Sequence, residues 1–271
     1  MILSAAQANI QLRTVGLLPR DPGQEYPLRY LEEVFDKVGV RLHRLDQEAP
    51  PPGLDLVLAL GGDGTVLKAL DLEPGCPVLA INYGSVGFLT AGDPEHLERM
   101  INCLLAGEYM ISERLMLRCE HPGGVASVVN EVALRANWRM VYVDVEINGA
   151  RIRTIRGDGV IVGTPTGSTG YLLSTGGPIV MPDAECFVLD GINEYNFTSR
   201  ALILPASATV RLRLGDLLPD QSVHVYVDGR MLCPLESGQE VVLSRSPKTA
   251  QLIFFEEDYF FRNLAGRLSW Q

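Results

Sequence analysis

The chain has 271 residues, 46% of them apolar and 21% charged, with a formal net charge of −10. That length and balance suit two domains with sizeable cores. The acidic surface argues against non-specific binding to nucleic acid or anionic membranes, and no apolar run reaches the ~18 residues that a bilayer span needs.

The first residues, Met1 to Ala6, lack a charged leader followed by an apolar core, so a cytoplasmic location is expected. Thr14 to Leu18 reads as a strand. Leu28, Leu31, Val34, Phe35 and Val38 then recur at helical spacing, with Gly39 as a C-cap. Asp55 to Leu60 is almost wholly apolar, as a strand covered on both faces of a parallel sheet would be, and Val78 to Asn82 is a further strand. Asp93-Pro94 has the form of a helix start, with Asp as N-cap and Pro at the first position. Leu97, Met100, Ile101, Leu104 and Leu105 give that helix one apolar face. The first domain, residues 1–110, is therefore α/β with an open, Rossmann-like parallel sheet.

After about residue 110 the period changes to two. Val141, Val143, Val145 and Ile147 alternate with polar residues, as do Val210, Leu212 and Leu214, and again Val223, Val225 and Val227. Such alternation marks antiparallel strands with one covered face. The second domain, residues 111–271, is β-rich. Its end, from about residue 250, looks helical again over Asp258 to Leu268 and can pack back onto the first domain. Cys76, Cys103, Cys119, Cys186 and Cys233 are scattered and form no Cys-x-x-Cys pair, which argues for reduced thiols and against a zinc site or disulfide framework.

Gly61-Gly62-Asp63-Gly64-Thr65 follows the apolar strand and precedes a helical run that includes Lys68. Glycines let a backbone approach phosphate oxygens, and a helix start presents free N–H groups to them. The carboxylate is the odd member, because it repels phosphate. Asp63 either accepts a proton from an attacking hydroxyl, helps to hold Mg²⁺, or only bonds its own turn. Further on, Asp158-Gly159 opens a strand that runs into Thr164-Pro165-Thr166-Gly167-Ser168-Thr169-Gly170-Tyr171 and then Ser174-Thr175-Gly176-Gly177-Pro178. This segment is either a donor-rich turn for a nucleoside or a hairpin of small residues.

Gly-Gly-Asp-Gly-Thr resembles the phosphate-binding motif shared by NAD kinases, diacylglycerol and sphingosine kinases, and phosphofructokinases. The 158–178 segment is similar to the NAD kinase signature alone, departing at Gly170 where Ala is usual. Asn130-Glu131-Val132 and the loop from Ile81 to Thr90 resemble two further motifs of that family, and the likeness extends to Leu268-Ser269-Trp270.

The resemblance implies an NAD kinase-like two-domain fold and phosphoryl transfer from ATP or polyphosphate to the 2′-hydroxyl of the adenosine ribose of NAD, giving NADP. Asp63 would be the proton acceptor. Gly61, Gly62, Gly64 and Thr65 would sit against phosphates, with Lys68 either neutralising one or solvated. Asn130 and Glu131 would hold the nucleoside, since a carboxylate can accept from both hydroxyls of a ribose diol. Asp158, Thr169, Gly170, Tyr171 and Ser174 match ligand-contacting positions. Phe88 lies against a base or in the core, and Arg156 matches a basic residue of some members. No protein metal-ligand cluster is expected; a divalent cation, Mg²⁺, would ride on the donor's phosphates. Homodimers or homotetramers are usual in the family.

The 187–201 stretch lacks the family's Pro-His pair, Ala201 replaces a usual Pro, and Arg230 stands where Gln is common. Two other readings stay open. A lipid or sugar kinase would share the glycine turn but leave the 164–171 segment unexplained. A non-catalytic NAD(P)-binding sensor would gain nothing from Asp63.

Overall fold

The computed structural model describes residues 10–21, 23, 25–72, 75–84, 87–196 and 199–268. Of the motif residues, Ser85, Val86, Ser269 and Trp270 lie outside this set, as do Phe197 and Thr198 of the atypical stretch and the N-terminal Met1 to Ala6. The chain divides into two compact units. One holds the chain through Glu113 and from Ala250 onward; the other is Arg114–Thr249.

The first unit opens with β1 (Thr14–Pro19), α1 (Glu25–Lys37) and β2 (Arg41–Arg44), then β3 (Leu56–Leu60), α2 (Asp63–Leu72), β4 (Val78–Ile81) and α3 (Leu97–Ala106). The strands are parallel in the order β2-β1-β3-β4. All five β3 residues are buried, which is why the sequence there is an unbroken apolar run: helices cover both faces of such a sheet. Gly39 terminates α1 with φ +73°, a left-handed value that suits glycine. Asp93 does precede the helical segment with Pro94 at its first position, but its side chain makes no cap bond. The Asp93 carboxylate accepts instead from the Asn82 amide at 3.2 Å, and a 3-10 turn, Pro94–His96, leads into α3.

The second unit takes in most of β5 (Met110–His121), then β6 (Gly124–Val128), β7 (Glu131–Ala136), β8 (Val141–Ile147), β9 (Ala150–Gly157), β10 (Gly159–Gly163), the short helix α4 (Tyr171–Ser174), β11 (Cys186–Ile192), β12 (Leu202–Pro205), β13 (Val210–Leu214), β14 (Val223–Val227) and β15 (Arg230–Leu235). Six strands form an antiparallel sheet in the order β12-β11-β10-β7-β14-β15. β8 pairs with β9 and β13. The alternating valines and leucines of β8, β13 and β14 turn inward and share one core with Val132, Leu134, Val160 and Val162. β10 does not fold back as a hairpin. It enters a 3-10 turn, Thr166–Thr169, and then α4.

β16 (Glu240–Phe254) begins in the second unit against β13 and ends in the first, where Leu252 pairs in parallel with Val78. α5 (Tyr259–Leu268) follows it within the first unit. Phe254 and Tyr259 stack there with ring centroids 3.5 Å apart.

Candidate functional site

In the first unit the glycine turn joins β3 to α2. Gly61 donates its N–H to Ile81 O, and Gly62 O accepts from Thr65 and Val66, so α2 starts at Asp63 itself. The Asp63 and Gly64 amides come before these bonds, and the head of the helix carries a partial positive charge. A Cβ on Gly61 would lie 2.1 Å from Thr65 Oγ1, so packing requires glycine at that position. At Gly62 and Gly64 a Cβ would meet nothing within 4 Å. Packing does not require those two glycines; their effect is to leave backbone uncovered. Beside the turn is a cavity of about 420 Å³, lined by Gly62 to Thr65, Gly84, Gly87, Arg20 and Arg267.

The Asp63 carboxylate is oriented by the loop after β4. Phe88 N–H donates to Oδ2 and Leu89 N–H to Oδ1, each at 3.0 Å. Gly87 is needed for this contact, because a Cβ there would come within 2.3 Å of Asp63 Oδ1. Each carboxylate oxygen keeps acceptor capacity beyond the bond it makes. Phe88 is 3% exposed. Its ring is 6.4 Å from that of Phe260, and the Arg267 guanidinium lies 5.4 Å from its centroid. Lys68 is exposed and does not line the cavity; its charge acts on Asp46 instead. The cationic side chains at the cavity are Arg20 and Arg267, neither of which carries a motif signal.

The second unit gathers a different set of groups. Asn130 ends the segment before β7 and Glu131 begins the strand. Glu131 is 6% exposed. Burial, then the charge of Asp228, pushes its carboxyl up to about 7, while the Tyr171 N–H acts the other way. Asn130 O accepts from Thr164 N–H at 2.8 Å, and Thr164 Oγ1 accepts from Gly167 N–H at 3.1 Å. A Cβ on Gly167 would lie 2.1 Å from Asn130 O. The Thr-Pro-Thr-Gly segment therefore folds directly against the Asn-Glu pair. At Gly170 a Cβ would meet Glu131 Oε2 at 3.0 Å, so glycine in this position gives the carboxylate room.

Glu131, Ala133 and Arg135, alternate residues of β7, line a cavity of about 150 Å³ with Tyr171, Tyr226 and Gly229. The Arg135 guanidinium is 5.4 Å from the ring centroids of both tyrosines. Thr169 Oγ1 donates to Thr166 O within its own turn, and Ser174 is exposed. Asp158 and Arg156 do not line this cavity. Asp158 accepts from the Asn193 amide at 2.8 Å, and Arg156 stacks between Tyr142 and Tyr195.

Residues 34–109 match the model of the ATP-NAD kinase N-terminal domain, and residues 129–255 that of the C-terminal domain. The chain belongs to the NAD kinase family. It is 38% identical over 225 residues to an NAD kinase of Citrifermentans bemidjiense, covering 80% of this chain and 78% of that one. An NAD kinase of Gemmatimonas aurantiaca is 33% identical over 264 residues, covering 94% and 89%. Among solved structures, an NAD kinase from Archaeoglobus fulgidus in complex with ATP superposes with a TM-score of 0.77 at 27% identity, covering 94% of this chain and 98% of that one. Yeast NADH kinase complexed with NADH shares the fold, with a TM-score of 0.84 at 24% identity and coverage of 96% and 88%. The enzyme is an NAD kinase, which phosphorylates NAD to NADP. The lipid kinase, sugar kinase and sensor readings find no counterpart among these relatives. No described helix is long and apolar enough to cross a membrane.

Proposed function

We propose that the phosphate-bearing donor binds at the head of α2 and that NAD is held through its adenosine ribose by Asn130 and Glu131. The observation that carries this reading is Asp63. A carboxylate at a helix start repels phosphate, yet here both of its oxygens are oriented by backbone amides beside a cavity with two arginines. In the reaction the 2′-oxygen of the ribose attacks the terminal phosphorus of the donor and its proton passes to Asp63. The bond to the bridging oxygen breaks, and ADP leaves when ATP is the donor. Such transfer is loose, so positioning and charge neutralisation contribute more than the base itself. Arg20, Arg267 and the open backbone at Gly62 and Gly64 supply that neutralisation. Glu131 in its carboxylate form accepts from the ribose hydroxyls.

A divalent cation, Mg²⁺, belongs to this reading as a companion of the donor's phosphates. Among the described residues no group of three or more metal-ligating side chains gathers. ATP is the favoured donor, with polyphosphate tested beside it. A homodimer or homotetramer in the cytoplasm completes the proposal.

The test is Asp63→Asn, assayed for NADP formation with NAD, Mg²⁺ and either ATP or polyphosphate. NAD binding should persist while turnover falls at least a hundredfold. Turnover within tenfold of the parent enzyme would remove Asp63 from the role of proton acceptor.

A further inference from the structure

Val227-Asp228-Gly229-Arg230 closes the hairpin between β14 and β15, with Val227 paired to Arg230. The two loop residues have φ +48° and +78°, the left-handed pair that favours Asn-Gly and Asp-Gly. An aspartate in such a turn usually bonds its own backbone. Asp228 does not. Its carboxylate reaches the segment leading into β7 and accepts three consecutive amides: Val129 N–H on Oδ2 at 3.0 Å, and Asn130 and Glu131 N–H on Oδ1 at 2.7 and 3.2 Å. Asp228 N–H in turn donates to Glu131 O at 3.0 Å. Four hydrogen bonds thus tie this one residue to a three-residue segment almost a hundred positions earlier in the chain.

That segment carries the two side chains assigned to the nucleoside. Asn130 Oδ1 and Glu131 Oε2 are buried with no hydrogen-bond partner among the described residues. Buried acceptors normally have partners, so two adjacent exceptions mark atoms held ready for a ligand's donors. We propose that Asp228 is a positioning residue for NAD: by fixing the backbone from Val129 to Glu131 it aims the Asn130 and Glu131 side chains at the ribose. This rests on the nucleoside reading of that pair. Asp228 also places a second negative charge beside Glu131, so the proton affinity of the ligand-binding carboxylate depends on it. The other groups facing Glu131 are Arg135 on β7, Tyr171 on α4 and Tyr226 on β14, with Arg230 acting on Asp228 from β15.

Asp228→Asn separates this role from a plain turn role. Asn-Gly suits the hairpin as well as Asp-Gly does, so the turn and the fold survive. The amide, however, turns an N–H₂ toward one of the three donors and removes the charge. The expected result has three parts: KM for NAD rises at least tenfold, KM for ATP stays within twofold, and the acid-side rise of KM for NAD moves to lower pH. KM for NAD within twofold, or equal losses for both substrates with an unmoved pH profile, overturns the proposal. Glu131→Gln, measured in parallel, keeps the two ideas apart. If it raises KM for NAD and Asp228→Asn does not, only the positioning role fails; if it leaves KM for NAD unchanged, the nucleoside reading fails first.

Discussion

Glu131→Gln should make the protein more stable and a poorer enzyme at the same time. The folded protein holds the Glu131 carboxyl at about 7, against an ordinary 4.5, because burial and the neighbouring Asp228 disfavour its charge. The protonated form is the one the fold prefers. Its contribution is complete below the unfolded value of 4.5 and is lost as pH rises through about 7. At roughly 1.4 kcal/mol per pH unit, that interval costs about 3 kcal/mol at pH 8 and under about 1 kcal/mol at pH 5. Glutamine never ionises and can still accept the Tyr171 N–H, so it removes the cost. Taking an unfolding entropy of ~2.1 cal/mol/K per residue over 271 residues, Tm should rise by about 5 °C at pH 8 and by much less at pH 5. Calorimetry of parent and variant at the two pH values is the assay. A Tm difference that does not change with pH, or a variant less stable at pH 8, would refute the account of Glu131. In the enzyme assay the same variant should raise KM for NAD, and the parent's own KM for NAD should rise as pH falls below about 7.

Gly87→Ala should displace the Asp63 carboxylate from its two amides and lower kcat by roughly 10- to 100-fold, the equivalent of one charge-assisted hydrogen bond, with little change in Tm. Steady-state kinetics checks this, and a kcat within twofold of the parent would contradict it. Arg20→Ala and Arg267→Ala should each raise KM for ATP about tenfold and reduce its dependence on salt, leaving KM for NAD in place; a selective effect on NAD would count against the donor assignment. Gly159→Ala should fail to give soluble protein, because a Cβ at φ +156° would come within 1.8 Å of Leu134 O where the β7–β10 pairing begins. Soluble Gly159→Ala with unchanged Tm would show that the sheet yields there.

The parts of this architecture that were legible in the sequence are those whose cause is local. β3 is an apolar run because both of its faces are covered, and β8, β13 and β14 alternate because one face is. The glycine turn is visible because glycines between an apolar strand and a helix suit phosphate, while the carboxylate among them repels it. What could not be read depends on contacts between distant segments. Arg20 and Arg267 reach one cavity from opposite ends of the chain, and nothing near either residue marks it. Lys68 looked suitable because it follows the turn, but helical geometry carries it toward Asp46. Asp93 looked like a cap, yet Asn82, eleven residues earlier, takes its carboxylate. Asp228-Gly229 reads as an ordinary hairpin turn; the signal that distinguishes it lies at Val129 to Glu131, not beside it.

The first unit is discontinuous in sequence, and this has a consequence during synthesis. A ribosome finishes Arg114–Thr249 before it makes Leu252, which pairs with Val78, or Arg267, which lines the cavity at the glycine turn. Domains generally fold as units while the chain emerges, so the β-rich unit has all its residues first and the α/β unit must wait for the segment that starts at Ala250. A chain that terminates early would retain the Asn130–Glu131 pair and the whole glycine turn in its sequence, yet lack the strand end and the arginine that complete the phosphate cavity. Competence for phosphoryl transfer would thus arrive only after Leu252 and Arg267 have been made.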